Sequence, residues 1–245
     1  MLNKVKKCLK TVATKERAIA SAGYFKTGKG QYGEGDVFLG VTVPELRRIA
    51  NMYSMLTPSD IKKLLYSPIH EERLLALLIL VQKYQKGDKA TQEKVFEFYM
   101  KNLRRVNNWD LVDLSAPNIL GAHLFTAPKM MRKLLIKLSK SKNMWERRSA
   151  ILATFYFIKQ GEFTPSLALA KRLMNDKQDL IHKALGWMLR EIGKRNISIL
   201  ENFLQKSLRP GRESADSKKM PRTMLRYSIE RFAEAKRKKY LLGSV

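Results

Sequence analysis

Apolar residues recur along most of the chain at the spacing of about 3.6 residues that places them on one face of a helix. No segment shows the sustained alternation of apolar and polar residues that is typical of a β-strand. Thr42 and Thr57 each precede a proline in the next two positions and a carboxylate three positions on, which is the pattern of a capped helix start. Thr164 and the proline after it repeat the cap and the proline, and Pro128 and Pro221 also stand where helices are predicted to begin. The sequence therefore predicts an all-α chain.

The strongest predicted helices recur with a regular period. Five segments that open such helices can be aligned, and their starts are 38, 36, 37 and 40 residues apart. These segments begin at Ile69, Asn107, Asn143, Leu180 and Met220. A shorter second helix fits between successive segments, for example over Lys129–Ser139 and Thr164–Met174. A period near forty residues built from two helices predicts a HEAT- or armadillo-like helical-repeat solenoid, which leaves one concave face for binding.

We predict a single repeat domain over residues 1–245, with capping helices over about 1–66 and repeating helix pairs over 67–245. The glycine- and lysine-rich loop 26–36 and the linker 209–219 interrupt the helices. Residues 28–33 contain the GxGxxG pattern of dinucleotide-binding loops, but no predicted strand precedes it and no predicted helix opens on it. We therefore reject a dinucleotide site and predict a mobile loop that contacts phosphates.

The charge of the chain indicates its class of partner. Lys and Arg number 48 against 22 for Asp and Glu, a formal net charge of +26. This excess attracts polyanions, either nucleic acid or an anionic membrane surface. No stretch approaches the ~20 apolar residues of a membrane span, and no predicted helix combines a basic face with a wide exposed apolar one. The N-terminal segment has Lys or Arg every few positions and lacks the apolar core of a signal peptide, which predicts a cytoplasmic protein that binds nucleic acid.

Cysteine and histidine are too sparse to suggest a metal or disulfide framework. Cys8 is the only cysteine, and His70, His123 and His182 lack the spacing of metal ligands. We therefore expect no metal site and no cofactor.

The three tryptophans are spaced by about one repeat. Trp109, Trp145 and Trp187 are 36 and 42 residues apart. Residues one repeat apart fall on the same face of a solenoid, so the indoles are predicted to line one surface, although large aromatic residues more often fill a core. Charged neighbours favour the surface position for all three tryptophans. Asp113 lies one helical turn after Trp109. Arg147 and Arg148 follow Trp145, and Arg190 follows Trp187.

Arg148 and Asp113 each allow two interpretations. Arg148 can form a structural salt bridge, for example with Glu146, or hold a phosphate with its forked guanidinium. Asp113 would repel a phosphate, so it is either bonded internally, for example to a helix terminus, or placed there for catalysis. The residue pattern alone leaves both choices open.

Three segments together resemble a known enzyme family. They are NNWDLVDLSAPNILG at Asn107, NMWERRSAIL at Asn143 and KALGWMLREIGK at Lys183. The combination of Trp-x3-Asp, Trp-x2-Arg and Gly-Trp-x2-Arg resembles the alkylpurine DNA glycosylases of the AlkD type, which are base-excision repair enzymes built from HEAT-like repeats. The resemblance extends from about Phe38 to the helix that follows Pro221.

Carried over by position, the resemblance implies that Asp113, Trp109 and Trp187 are catalytic and that Arg148 holds a DNA phosphate. Tyr24 resembles a further aromatic residue near the active site of the family. The local pattern adds three DNA-binding candidates, which are Trp145, Arg147 and Arg190. The chain departs from some members in a longer loop before Phe38 and in Asp179 and Leu180, which replace an aromatic pair.

The resemblance implies a monofunctional glycosylase that hydrolyses the N-glycosidic bond of cationic alkylated purines, such as 7-methylguanine and 3-methyladenine, in double-stranded DNA. It also implies that the lesion need not be extruded from the helix, unlike in most glycosylases. We expect a monomer that needs no cofactor. The alternative is a non-catalytic HEAT-repeat module that binds DNA or RNA through charge. Asp113 distinguishes the two, because a pure binder has no reason to keep an acid among phosphate-binding groups.

Overall fold

The computed structural model describes residues 1–208 and 220–243, and the predicted linker 209–219 lies outside them. The helices within these residues are α1 (Leu2–Thr11), α2 (Lys15–Tyr24), α3 (Val43–Met52), α4 (Pro58–Leu65), α5 (His70–Lys86), α6 (Lys89–Lys101), α7 (Trp109–Ser115), α8 (Ala122–Phe125), α9 (Pro128–Ser139), α10 (Met144–Lys159), α11 (Thr164–Leu173), α12 (Asp179–Gly193), α13 (Ile197–Leu208), α14 (Arg222–Ser228) and α15 (Glu234–Leu242). A 3₁₀ turn lies at Leu103–Arg105 and a π-helical segment at Ala116–Gly121.

The fold is the predicted one. The described residues contain no β-strand, and an isolated parallel bridge joins Val37 to Ile69. The five aligned helices begin within two residues of the predicted starts, and α9 and α11 match the shorter helices to one residue at each end. The prediction of an all-α helical-repeat fold is therefore confirmed. In the part of the chain that is described, no helix is long and apolar enough to cross a membrane.

Two of the three predicted hydroxyl caps are present. The side-chain oxygen of Thr42 accepts a hydrogen bond from the Glu45 N–H at 3.4 Å, and that of Thr57 accepts one from the Asp60 N–H at 3.2 Å. The prediction for Thr164 is wrong, because this residue is already the first of α11. Its N–H donates to Oε1 of Glu162 at 2.8 Å, so an acid in front of the helix satisfies the exposed donor instead.

The loop 26–36 lacks the strand before it and the helix opening on it that are typical of a dinucleotide-binding loop. A helix, α2, precedes the GxGxxG pattern, and the next helix begins only at Val43. The loop bonds to itself, since the Gly30 N–H donates to Glu34 at 2.8 Å and the Gly33 N–H to the Lys26 carbonyl at 3.1 Å. Its contact with phosphates stays a prediction.

The chain forms two compact units, Met1–Ile119 and a second that starts at Leu120. In the first unit α5 is central and packs against α3, α4, α6 and α7. Every residue of α5 from His70 to Val81 is buried, so the polar residues at its start are buried together with its leucines. In contrast to α5, helix α2 has no buried residue. The predicted single domain over 1–245, with capping helices over 1–66, stays a prediction.

The second unit is built around α10 and α12. Helix α10 packs against α8, α9, α11 and α12, and α12 packs in turn against α11, α13 and α14. Gly186 marks the closest approach of α12 to α14, because a Cβ atom there would lie 2.5 Å from Cβ of Tyr227 and 2.6 Å from the Met224 carbonyl oxygen. A larger residue would force the two helices apart.

We expect Gly186→Ala to lower the free energy of unfolding by about 1–3 kcal/mol, the usual effect of overpacking, as measured by urea denaturation. Gly23→Ala is the matched control. No atom lies within 4 Å of a Cβ built at Gly23, which is in α2, so alanine there should raise stability by up to about 1 kcal/mol through helix propensity. Equal effects of the two substitutions would contradict the close contact of α12 with α14.

Candidate catalytic and DNA-binding residues

The start of α7 is tightly fixed. Asn108, which is fully buried, caps the helix by accepting the Trp109 N–H at 2.8 Å and donates from its amide nitrogen to Oδ2 of Asp36 at 3.1 Å. Trp109 is the first residue of the helix and Asp113 follows one turn later, and both are half-buried. Residues four apart share one side of a helix, so α7 carries the indole and the carboxylate on the same side.

Trp109 lies at one side of a group of four packed rings, called here the aromatic stack, that also contains Phe25, Phe38 and His70. The indole lies on Phe25 at a centroid distance of 5.1 Å and an angle of 13°, Phe25 on Phe38 at 5.0 Å and 21°, and Phe38 on His70 at 4.7 Å and 22°. Tyr24 meets the indole edge-on at 5.8 Å and is 68% exposed. The first unit thus presents a solvent-exposed phenol beside an indole that is supported from within.

A buried charge network surrounds His70, one ring of the aromatic stack. His70 contacts Oδ2 of Asp110 through Nε2 at 2.7 Å and Oδ2 of Asp36 through Nδ1 at 3.2 Å. Arg73, which is 1% exposed, donates to Oδ1 of Asp36 at 2.6 Å and to the carbonyl oxygens of Ser67 and Pro68. These contacts connect α5 to α7 and to the segment before α3.

The network shifts the pKa values of two of its members. Burial disfavours the charged form of His70, but hydrogen bonds with Asp110 and Asp36 outweigh it and raise the pKa of His70 above 6.5. Burial also disfavours the charged form of Asp36. The hydrogen bond from His70, the charge of Arg73 and the hydrogen bond from Asn108 outweigh it and hold the pKa of Asp36 below 3.8. Both shifts favour the charged form of the group.

Residues 70–73, His-Glu-Glu-Arg, are the functional feature that the sequence reasoning missed. Glu71 accepts hydrogen bonds from the backbone N–H groups of residues 39, 40 and 41 at 2.7–3.3 Å, and Glu72 pairs with Lys6 of α1 at 2.9 Å. The repeat pattern of the sequence predicts this segment only as the start of a repeat. The available signal was four consecutive polar residues leading directly into the apolar run of a core helix.

Arg148 and Trp187 lie in the second unit. Arg148 is 5% exposed, and its Nη1 donates to the Leu180 carbonyl oxygen at 2.5 Å. Trp187 is half-buried on α12, lies 5.6 Å from Phe155, and donates its indole N–H to Oε1 of Glu191 at 3.3 Å. Their roles in DNA binding and catalysis stay predictions.

Three further predicted DNA-binding residues are used inside the second unit. Trp145 is only 8% exposed, which is the placement of a core residue. Arg147 binds both carboxylate oxygens of Asp176, at 2.7 and 3.1 Å, and two backbone carbonyl oxygens. Arg190 forms an ion pair with Glu230. Like the roles of Arg148 and Trp187, the DNA-binding roles of these three residues stay predictions, and the proposal below does not depend on them.

The described residues contain no group of three or more His, Cys, Asp or Glu side chains arranged to hold a metal ion. In particular, the two carboxylates that meet His70 are occupied as hydrogen-bond acceptors within the network.

Comparison with known proteins identifies related chains. A family model described as "DNA alkylation repair enzyme" matches residues 5–232. The structure is similar to a solved one described as a predicted DNA alkylation repair enzyme from Enterococcus faecalis, with 15% sequence identity and a TM-score of 0.67, over 91% of this chain and 97% of that chain. At this identity the similarity establishes the fold. No curated protein sequence gives a match.

Proposed function

Because the chain belongs to the family of DNA alkylation repair enzymes, we propose that it is a glycosylase that releases cationic alkylated purines, such as 7-methylguanine and 3-methyladenine, from duplex DNA. The observation that carries this proposal is the arrangement on α7. Trp109 is supported by the aromatic stack and adjoins the exposed ring of Tyr24, and the carboxylate of Asp113 follows one turn later. In a chain of net charge +26, an acid beside an exposed aromatic surface favours catalysis over phosphate binding alone.

The chemistry suits a carboxylate. An alkylated purine that already carries a positive charge is a good leaving group, so no general acid is required. Positive charge develops on the deoxyribose as the glycosidic bond breaks, and the Asp113 carboxylate would stabilise that charge and orient a water molecule. The water oxygen replaces the base on the sugar carbon and releases a proton, so the products are a free base and an abasic site.

Aromatic rings would hold the damaged nucleotide. The faces of Trp109 and Tyr24 are electron-rich and attract a cationic base or the cationic sugar that forms from it. We propose the same role for Trp187 and a phosphate contact for Arg148, because the resemblance assigns them these roles. The proposed DNA-binding set is thus Tyr24 and Arg148, together with the general excess of exposed lysine and arginine.

The test is release of 7-methylguanine from methylated duplex DNA, measured by chromatography of the free base. We expect release by the wild-type protein and no covalent adduct on treatment with borohydride, because hydrolysis needs no Schiff base. Tight binding of the duplex without release of either methylated purine would instead support a non-catalytic nucleic-acid-binding module, the candidate that the net charge of +26 favours.

Binding to unmodified duplex DNA should depend strongly on salt. If about six phosphates are contacted, the affinity should fall roughly a thousandfold between 50 and 200 mM salt, because each contact releases condensed counterions. Fluorescence anisotropy of a labelled duplex at several salt concentrations measures the slope. An affinity that does not change with salt would contradict both the glycosylase and the binding module.

A further inference from the structure

We infer that His70 is a positioning residue for Trp109, holding the indole in place through Asp110 and through the aromatic stack. His70 is 2% exposed and therefore does not contact DNA itself. Its catalytic consequence rests on the proposed glycosylase function, whereas its effect on the indole does not. The inference depends on two connections between the same two residues.

The first connection runs through the backbone of α7. Nε2 of His70 contacts the Asp110 carboxylate at 2.7 Å, and Asp110 directly follows Trp109 in the first turn of the helix. The other carboxylate oxygen of Asp110 accepts the Leu111 N–H at 2.8 Å. His70 thereby fixes the turn from which the indole projects, and one turn later the same helix carries Asp113.

The second connection runs through the rings. The imidazole lies 4.7 Å from Phe38 and 4.9 Å from Phe25, and Phe25 lies under the indole at 5.1 Å. A change in the tilt of the imidazole is therefore passed to Phe25, which supports one face of Trp109. The first connection fixes the backbone from which the indole projects, and the second fixes the plane of the indole ring.

The geometry calls for an imidazolium. Both ring nitrogens of His70 face carboxylates, of Asp36 from the segment before α3 and of Asp110 from α7, so each nitrogen must donate a proton. Arg73 of α5 faces the same ring, with Nη2 at 3.4 Å from Nδ1, a longer contact than the 3.2 Å to Asp36. Two carboxylates are thus balanced by one guanidinium and one imidazolium, and loss of the imidazole proton leaves one buried negative charge uncompensated.

The pH range of this arrangement follows from the sign of each shift. The pKa of His70 is raised above 6.5, so its contribution to stability is complete below 6.5 and is lost as the pH rises through the higher folded-state value. The pKa of Asp36 is lowered below 3.8, so its contribution is present above 3.8 and is lost as the pH falls through the lower value. Trp109 should therefore be held most firmly between the folded-state pKa values of Asp36 and His70, and should loosen as the pH rises through that of His70.

Nuclear magnetic resonance tests the inference without reference to activity. The indole N–H resonance of Trp109, assigned by its absence in Trp109→Phe, should shift with pH with the same midpoint as the ring resonances of His70. This step should be absent in His70→Gln and retained in Glu97→Gln, a control that neutralises an exposed acid of α6. Asp110→Asn, which keeps the side-chain size and one acceptor oxygen, should move the indole resonance even where His70→Gln fails to fold.

Activity gives the second measurement. At saturating methylated duplex, His70→Gln should lower the single-turnover rate about ten- to hundredfold through misplacement of Trp109, while leaving the affinity for DNA nearly unchanged. An indole resonance indifferent both to the titration of His70 and to Asp110→Asn, in protein that unfolds cooperatively, would overturn the inference. A coupled titration in a wild-type protein that releases no methylated purine would sustain the positioning and overturn the proposed function.

Discussion

Asp113→Asn is expected to lower the rate of 7-methylguanine release from methylated duplex DNA by about a hundredfold or more, the usual effect of losing an electrostatic stabiliser of the transition state. Asparagine keeps the size and one oxygen of the side chain but removes its charge. The positive charge that develops on the deoxyribose then loses the counter-charge that Asp113 would supply. Single-turnover assays with excess enzyme measure the chemical step without interference from product release.

The affinity for DNA distinguishes a loss of catalysis from damage to the fold. Affinity of Asp113→Asn for unmodified duplex should stay equal or rise, because the substitution removes a charge that repels phosphate. Glu97→Gln is the matched control, since it neutralises an exposed acid of the same unit that pairs with Lys101 at the surface, at 3.4 Å. An Asp113→Asn protein that releases the base at the wild-type rate would exclude Asp113 as the source of the catalysis.

Arg73→Met is expected to lower the free energy of unfolding by about 3–5 kcal/mol, the typical effect of removing one partner from a buried ion pair. The Asp36 carboxylate would stay buried without its guanidinium, and the carbonyl oxygens of Ser67 and Pro68 would lose their donor. Methionine fills a similar volume, so a cavity contributes little. Urea denaturation of the variant and the wild type measures the difference.

The control for Arg73→Met is Lys101→Met, which removes the cation of an exposed pair. The side chains of Lys101 and Glu97 are 76% and 55% exposed, so water and salt screen their interaction and the substitution should leave stability nearly unchanged. Similar small losses in both variants would show that the buried network adds little to the stability of the first unit.

Helix positions could be predicted from the sequence because the signals for helix starts are local. The hydroxyl of Thr42, the proline after it and Glu45 lie within four residues, and the capping hydrogen bond forms within that segment. The partners of a buried polar residue could not be predicted in this way, because they are distant in the sequence. Asp36 and Asp110 lie 34 and 40 residues from His70, so the segment His-Glu-Glu-Arg does not show by itself which groups it meets.

The tryptophans show that a shift of one residue along a helix decides whether a side chain is exposed or buried. Trp109 is the first residue of α7, whereas Trp145 is the second residue of α10, although an asparagine side chain accepts the N–H of each. One residue along a helix is a rotation of about 100°, enough to turn a side chain from the surface into the core. Spacing in units of one repeat was too coarse to detect this, so Trp145 was predicted at a surface where the structure has a buried residue.

The lack of buried residues in helix α2 affects local unfolding of the first unit. A helix of ten residues is marginal alone, and α2 has no buried residue to add to its stability. Segments with few buried contacts unfold locally at a lower free energy than the core, so the amide protons of α2 should exchange with solvent before those of α5. Tyr24 is the last residue of α2, whereas Trp109 is anchored by α7. Local opening can therefore displace the phenol while α7 keeps the backbone of Trp109 in place, which gives the candidate site one adaptable side and one rigid side.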